Sequence, residues 1–258
     1  MERFRNKTYK ALRWSEKYTK TDMIYLTKGS FWLTGGQILT AGSSFALALL
    51  FARLVPKEVY GNYRYVLSLA GLAATFSLTG LSTGVLQSVA RGFYGTFIEA
   101  VKVSLRWNSL IFICALGGAA YYLVNDNTVL GYSLLFVAFL FPAIKTFEMY
   151  EAFVSGTKNF RTSAIFRGVA DIGTIIATGI AILITQNVVI IVAMNLFAQL
   201  ILNAFFFKKI YTSISHDDRK KIEPLVIDFS KHLSFQNVLT NFANYMDKII
   251  IFHFLGAA

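Results

Sequence analysis

With 258 residues, 55% of them hydrophobic and only 15% charged, the chain is far more apolar than a soluble domain, where about 25% of residues carry charge. Its formal net charge of +11 does not point to nucleic acid, because the basic residues cluster between apolar runs instead of decorating a soluble domain. A single cysteine, Cys114, and three scattered histidines, His216, His232 and His253, exclude a disulfide framework and offer no metal-binding spacing.

The first 28 residues are basic and aromatic, without the compact apolar core and cleavage site of a secretory leader. They interleave Phe4, Leu12, Trp14 and Tyr18 with cations. Two readings of this segment stand: an amphipathic helix on an anionic inner leaflet, or a solvated basic tail.

Apolar runs near the ~20 residues that a bilayer crossing needs predict seven membrane helices. They fall at about 31–52, 63–86, 107–124, 129–150, 168–185, 188–207 and 233–256. The short links VPKEVYG, NDNT and TQN alternate with longer basic ones, so the helices are expected to pair as antiparallel hairpins. The expected fold class is therefore all-α, a polytopic integral membrane protein. Of the 25 Lys and Arg, only Arg53, Lys57, Arg64 and Lys248 lie outside the leading segment and the second-to-third, fourth-to-fifth and sixth-to-seventh connections. Basic links stay cytoplasmic, so the N-terminus is expected inside and residue 258 outside.

Polar residues within the spans recur at helical steps of three and four, which places each set on one face. The first span has the mild, small-residue face Gln37, Ala41, Ser44 and Ala48. The second has Arg64, Ser68, Gly71, Thr75, Thr79 and Ser82; the fifth has Arg167, Asp171, Thr174 and Thr178. The sixth carries Asn195, Gln199 and Asn203, and the seventh Asn237, Asn241, Asn244 and Lys248 with Asp247 alongside. Glycines and hydroxyls on such faces read as tight helix packing, and amides as interhelical hydrogen bonds of ~0.6–2 kcal/mol. For Asn195, Gln199 and Asn203 both readings, packing and cavity, stay open. Charges differ, because a lone ion in hydrocarbon costs at least ~2.5–3.5 kcal/mol and marks a cavity or pathway.

Arg167 and Asp171 stand one turn apart and are placed to neutralise one another. Several helices with wet faces imply a shared aqueous cavity. Arg53, Arg64 and Lys145 either make that cavity cationic or snorkel at helix ends; for Lys145, with Glu148 and Glu151, snorkelling is the reading preferred. No catalytic constellation appears. LTGG and GLSTG lie inside spans, without the strand, lysine and helix of a phosphate loop. Asp217–Asp218 sits in the polar link SHDDRKK, which reads as solvated loop. Transport or scaffolding is expected, not catalysis.

Four stretches resemble a known family. GSFWLTGGQILTAGSSFALALLFARLVPKEVYGNYRYVLS is similar to a first hairpin whose turn, A-R-L-x-P-x-x-x-Y-G-x-Y, is formed here by Ala52, Arg53, Leu54, Pro56, Tyr60, Gly61 and Tyr63. LTGLSTGVLQSVARGFYGT, SGTKNFRTSAIFR and KHLSFQNVLTNFANYMDKIIIFHFLGAA follow in the family's order. The family is that of the Wzx-type polysaccharide and lipid-linked oligosaccharide flippases, within the multidrug/oligosaccharidyl-lipid/polysaccharide exporter superfamily.

The resemblance implies about twelve to fourteen helices in two lobes around a central cavity. Residues 1–28 would then be a basic cytoplasmic segment, 29–207 a six-helix lobe, 208–231 a basic connector, and 232–258 the first helix of a second lobe, the remainder of which is expected either beyond Ala258 or, in a half-transporter, in a separate partner chain. It also implies a carrier in the bacterial inner membrane that moves polyprenyl-diphosphate-linked oligosaccharide outward by alternating access, for O-antigen, capsule or exopolysaccharide. Partners would be the bilayer, that substrate and the glycan polymerase or assembly machinery. No cofactor is expected, but coupling to a proton or sodium gradient is, with Asp171 or Asp247 the carboxylate. The cavity candidates are Arg53, Arg64, Lys145, Arg167, Asp171, Asn195, Gln199, Asn203, Asn241, Asn244, Asp247 and Lys248. Alternative readings are an exporter of drugs or of peptidoglycan lipid precursor, and a polytopic glycan polymerase or ligase, which the very short outer links disfavour.

Overall fold

The computed structural model describes residues 23–223 together with Val226, Phe229, Ser230, Leu233, Ser234, Met246 and Ile250. The leading basic segment up to residue 22 and, in the seventh span, Asn237, Asn241, Asn244, Asp247 and Lys248 lie outside the described residues.

Among the described residues the chain is helical, with no strand. The helices are α1 (Met23–Leu54), α2 (Lys57–Ala74), α3 (Gly80–Ala90), α4 (Gly95–Trp107), α5 (Ser109–Val124), α6 (Thr128–Phe147), α7 (Tyr150–Gly156), α8 (Phe160–Ile184) and α9 (Val188–Ser213). Five stretches are long and apolar enough to cross a bilayer: Gly29–Leu54, Gly95–Val124, Thr128–Gly156, Phe160–Ile184 and Val188–Ser213. The chain is a multi-pass membrane protein.

The turn residues explain the reversals. Asn127, Asn159 and Asn187 each cap the helix that follows, their side chains accepting from the backbone N–H of Leu130 (3.2 Å), Thr162 (3.2 Å) and Val189 (2.9 Å). Such caps satisfy amides that a helix start leaves orphaned. Pro56 stands at the cap position of α2, where its missing N–H costs nothing. The link VPKEVYG is shorter than its composition suggests, because Lys57 already opens a helix.

The expected second span, 63–86, is not one helix. It breaks between α2 and α3, where Thr75, Phe76 and Ser77 donate three residues back, to Leu72 (3.0 Å), Ala73 (3.2 Å) and Ala74 (3.0 Å). The Thr75 hydroxyl adds a bond to the Leu72 carbonyl at 2.7 Å. Closely spaced hydroxyls compete with the helical ladder for its carbonyls, and three-residue bonding tightens and ends the helix. The third span also starts earlier than expected, at Gly95 and not at 107.

Three apolar clusters hold the helices. The largest joins Phe51 of α1, Val66 and Ala70 of α2, Ile111 of α5, Val137 and Ile144 of α6 and Ile191 and Leu196 of α9. A second, with Leu81, Val85, Phe97, Met149 and Phe153, ties α3 and α4 to α7. A third stacks Tyr150, Phe166 and Phe206 between α7, α8 and α9.

The basic links meet at one end of the bundle. Gly95 N donates to the Lys221 carbonyl at 3.0 Å, Arg91 pairs with Glu223 at 3.0 Å, and Ser88 Oγ donates to the same carboxylate at 2.9 Å. The connector then crosses α3, where Gly80 N donates to Ser234 Oγ at 2.9 Å and Gly84 lies against Ser230 and Val226. GLSTG is thus a helix-packing surface. In SHDDRKK, Ser215 Oγ and Lys221 Nζ each donate to the Asp218 carboxylate at 2.8 Å. The Lys221 bond first, and the Ser215 bond second, hold that carboxyl below its usual range.

Candidate functional site

Three cavities in the bundle share side chains and form one polar trench. The first, about 280 Å³, opens beneath the α2–α3 break and is lined by Thr75, Thr79, Ser82, Ser104, Asn108, Lys145 and Glu148. The second, about 260 Å³, takes Glu148 again with Glu151, Thr40, Asp171, Gln199 and Asn203. The third, about 300 Å³, repeats Thr40, Glu151 and Asp171 and adds Gln37, Ser163 and Arg167. Discontinuous helices and polar walls at membrane depth are tolerated where they line a wet cavity.

Each wall has a local reason. Lys145 lies on the same helical face as Glu148, one turn on, and their ion pair closes at 2.8 Å; its ammonium also sits 5.0 Å from the Phe141 ring. The pair lines the trench. Asn108 joins α4 to α5 and donates to Ser104 Oγ (3.1 Å), Thr146 Oγ1 (2.9 Å) and the Pro142 carbonyl (3.3 Å). Its own side-chain oxygen is buried without a protein partner and belongs to a residue of the cavity wall. A buried acceptor of that kind asks for a donor, from water or a ligand hydroxyl.

Asp171 accepts from Thr40 Oγ1 at 3.0 Å, a bond that ties α8 to α1. Among the described residues no ion pair joins Arg167 to Asp171, so the expected neutralisation within α8 does not form. Both line the same cavity. Gln199 and Asn203 line the trench, but Asn195 serves packing. Asn195 is buried, donates to Thr178 Oγ1 at 2.9 Å and to Tyr63 Oη at 3.3 Å, and accepts from Gln199 Nε2 at 2.7 Å.

Arg53 and Arg64 are not in the trench. Both are exposed; Arg53 closes the last turn of α1, and Arg64 rests 5.9 Å from the Tyr60 ring. Without them the trench holds Lys145 and Arg167 against Glu148, Glu151 and Asp171. It is mixed in charge, not cationic. Among the described residues no group of His, Cys, Asp and Glu is placed to hold a metal ion.

Thr40, Ser104, Asn108 and Glu151 join the site although spacing alone does not single them out as binding residues. Asn108 and Glu151 do leave a signal, a strongly polar side chain at the edge of an apolar run.

The chain is all-helical and multi-pass, and its helices enclose a polar trench, an arrangement that a membrane transporter needs. The family model described as polysaccharide biosynthesis protein matches residues 26–258, and the chain is a member of that family. Its members are typically transporters. No curated protein and no solved structure matches the chain.

Proposed function

We propose that the protein is a flippase that carries polyprenyl-diphosphate-linked oligosaccharide from the cytoplasmic to the outer leaflet of the inner membrane by alternating access. The observation that supports this reading is the polar lining that the three adjoining cavities share. Hydroxyls of Thr75, Thr79, Ser82 and Ser104, amides of Asn108, Gln199 and Asn203, and five charged side chains line these adjoining cavities in a polysaccharide-biosynthesis membrane protein. Hydroxyls and amides suit the many donors and acceptors of a saccharide, and Lys145 and Arg167 suit a diphosphate. Charge in excess on one set of links favours a cytoplasmic N-terminus.

Coupling to a cation gradient is assigned to Asp171, a carboxylate at membrane depth within reach of the substrate path. Asn241, Asn244, Asp247 and Lys248 remain proposed as the facing wall of the same path.

The test is made in cells that lack the gene, with the complete protein returned as wild type or as Gln199→Leu with Asn203→Leu. Wild type is expected to restore surface glycan, and the double variant, at equal membrane abundance, to leave lipid-linked saccharide stranded on the inner leaflet. Full glycan output from the double variant would remove the trench from the pathway. Asp171→Asn keeps an oxygen for Thr40 but loses the charge, so transport in vesicles is expected to persist at a low rate and to stop responding to an imposed proton or sodium gradient.

A further inference from the structure

The connector that follows α9 is fastened by polar atoms to the corner between α3 and α4. Glu223 is the catch. Its carboxylate accepts from Ser88 Oγ at 2.9 Å and pairs with Arg91 at 3.0 Å, and its backbone N–H donates to Thr96 Oγ1 at 2.9 Å. The hydroxyls of Ser88 and Thr96 lie 3.0 Å apart, and both residues are fully buried. Arg91 stays half-exposed. On either side of this catch, Gly95 N donates to the Lys221 carbonyl and Gly80 N to Ser234 Oγ.

Three glycines let the connector come this close. A Cβ at Gly95 would strike the Arg219 carbonyl and come 2.9 Å from that of Lys221; one at Gly80 would strike the Ser230 carbonyl, and one at Gly84 would strike Ser230 Oγ. A slack tether needs no such seat. Yet little apolar surface closes with it. Among the described residues that reach this corner, Val226 is buried against Gly84, whereas Ile222 and Phe229 stay exposed. A contact built from hydrogen bonds and one half-exposed ion pair exchanges its partners for water at small net cost; an apolar core does not. Ser230 Oγ and Ser234 Oγ already donate to the carbonyls of Val226 and Ser230, both at 2.6 Å, so these hydroxyls stay satisfied when the connector leaves.

The seat is also the back of a trench wall. α3 turns Gly80, Gly84 and Ser88 to the connector and presents Thr79, at its start, and Ser82 to the first cavity. The break at Thr75–Ser77 separates α3 from α2, so a pull on one face of α3 reaches the cavity wall without being spread along a continuous span. Resting on the flippase reading, we infer that the connector is a releasable clasp: Glu223 fastens it to the α3–α4 corner in the arrangement of this structure, and Lys221, Glu223, Val226, Ser230 and Ser234 must leave that corner once in every transport cycle.

The test uses the complete transporter in proteoliposomes, in a cysteine-free background that includes Cys114→Ala, with a fluorescent isoprenyl-diphosphate disaccharide as the probe. A Cβ at Gly84 would lie 3.5 Å from Ser230 Cβ, within disulfide reach. Gly84→Cys with Ser230→Cys is therefore expected to cross-link under mild oxidant, to lose nearly all flipping, and to regain it on reduction with dithiothreitol; oxidant is expected to leave either single variant unchanged. In a second measurement Ser230→Cys alone, its thiol buried, is expected to react slowly with N-ethylmaleimide, and severalfold faster once Glu223→Ala is added. Undiminished flipping by the cross-linked pair, or the same maleimide rate with and without Glu223→Ala, would make the connector a fixed part of the bundle. Either result overturns the clasp and leaves the flippase reading standing. If the reduced pair itself does not flip the probe, the maleimide rates decide. Absence of flipping by the unmodified transporter, with normal lipid-linked saccharide distribution in cells lacking the gene, would remove both readings.

Discussion

Asn195 and Asn203 lie two turns apart on the same stripe of α9, yet their neighbours give them different work. Asn195 is surrounded by Tyr63, Thr178 and Gln199, three polar groups from three helices. Asn203, equally buried, borders open space beside Glu151 and Asp171. Asn195→Leu removes a hub that ties α2 and α8 to α9 and takes from Gln199 its acceptor; interhelical bonds of this kind are worth ~0.6–2 kcal/mol each. The expected outcome is a lower melting temperature in detergent. Asn203→Leu is expected to leave melting nearly unchanged and to cut transport per molecule. Equal melting temperatures for the two variants would refute the division. This is also where sequence reading ends. The i+4 spacing places both residues on one face, but what that face meets is decided by helices distant in the chain. The same limit explains Arg53 and Arg64: charge at a span's edge is visible, whereas its direction is not.

At the scale of elements, runs of apolar residues and Asn- or Pro-bearing links locate the hairpins well, because length and turn chemistry are local. The α2–α3 break escapes such reading. Thr75 and Thr79 continue the i+4 stripe, and only the bonding pattern reveals that hydroxyls have ended the helix there. Small residues near the break have a second consequence. Gly80 and Gly84 form a shallow track in which Val226, Ser230 and Ser234 seat, and a Cβ at Gly84 would come 2.7 Å from Val226 Cγ1 and still nearer to Ser230 Oγ. Gly84→Leu therefore overpacks the contact between α3 and the connector, at a cost of roughly 1–3 kcal/mol. Gly117, in α5, has no atom within 4 Å of an added Cβ. Gly117→Leu is the matched control, expected to leave the melting temperature unchanged while Gly84→Leu lowers it. If both variants melt alike, the track does not hold the connector.

For the whole molecule, charge and geometry have to agree about which end faces which compartment. The links at 91–94, 157–159 and 214–223 gather at one end, tied by Gly95 to Lys221, Arg91 to Glu223 and the contact of Gly156 with Val89. At the opposite end Gln186 reaches the Leu54 carbonyl at 3.5 Å, bringing the first and third short links together. Arg91, Lys158, Arg219, Lys220 and Lys221 belong to the first set, whereas the opposite end has only Arg53, Lys57 and Arg64 beside its first link, so the membrane's charge preference acts mainly on one end of the bundle. A reversed orientation would have to carry all of those cations across hydrocarbon. In a Cys114→Ala background, cysteines placed by Asp126→Cys and Gln186→Cys are expected to react with a membrane-impermeant maleimide in intact cells. Cysteines placed by Gly92→Cys and Lys158→Cys are expected to react only after the membrane is permeabilised. The pairing matters more than any single label, since Asp126 and Gln186 belong to different hairpins and must behave alike if the bundle inserts as one body. Labelling of Lys158→Cys in intact cells would invert the orientation.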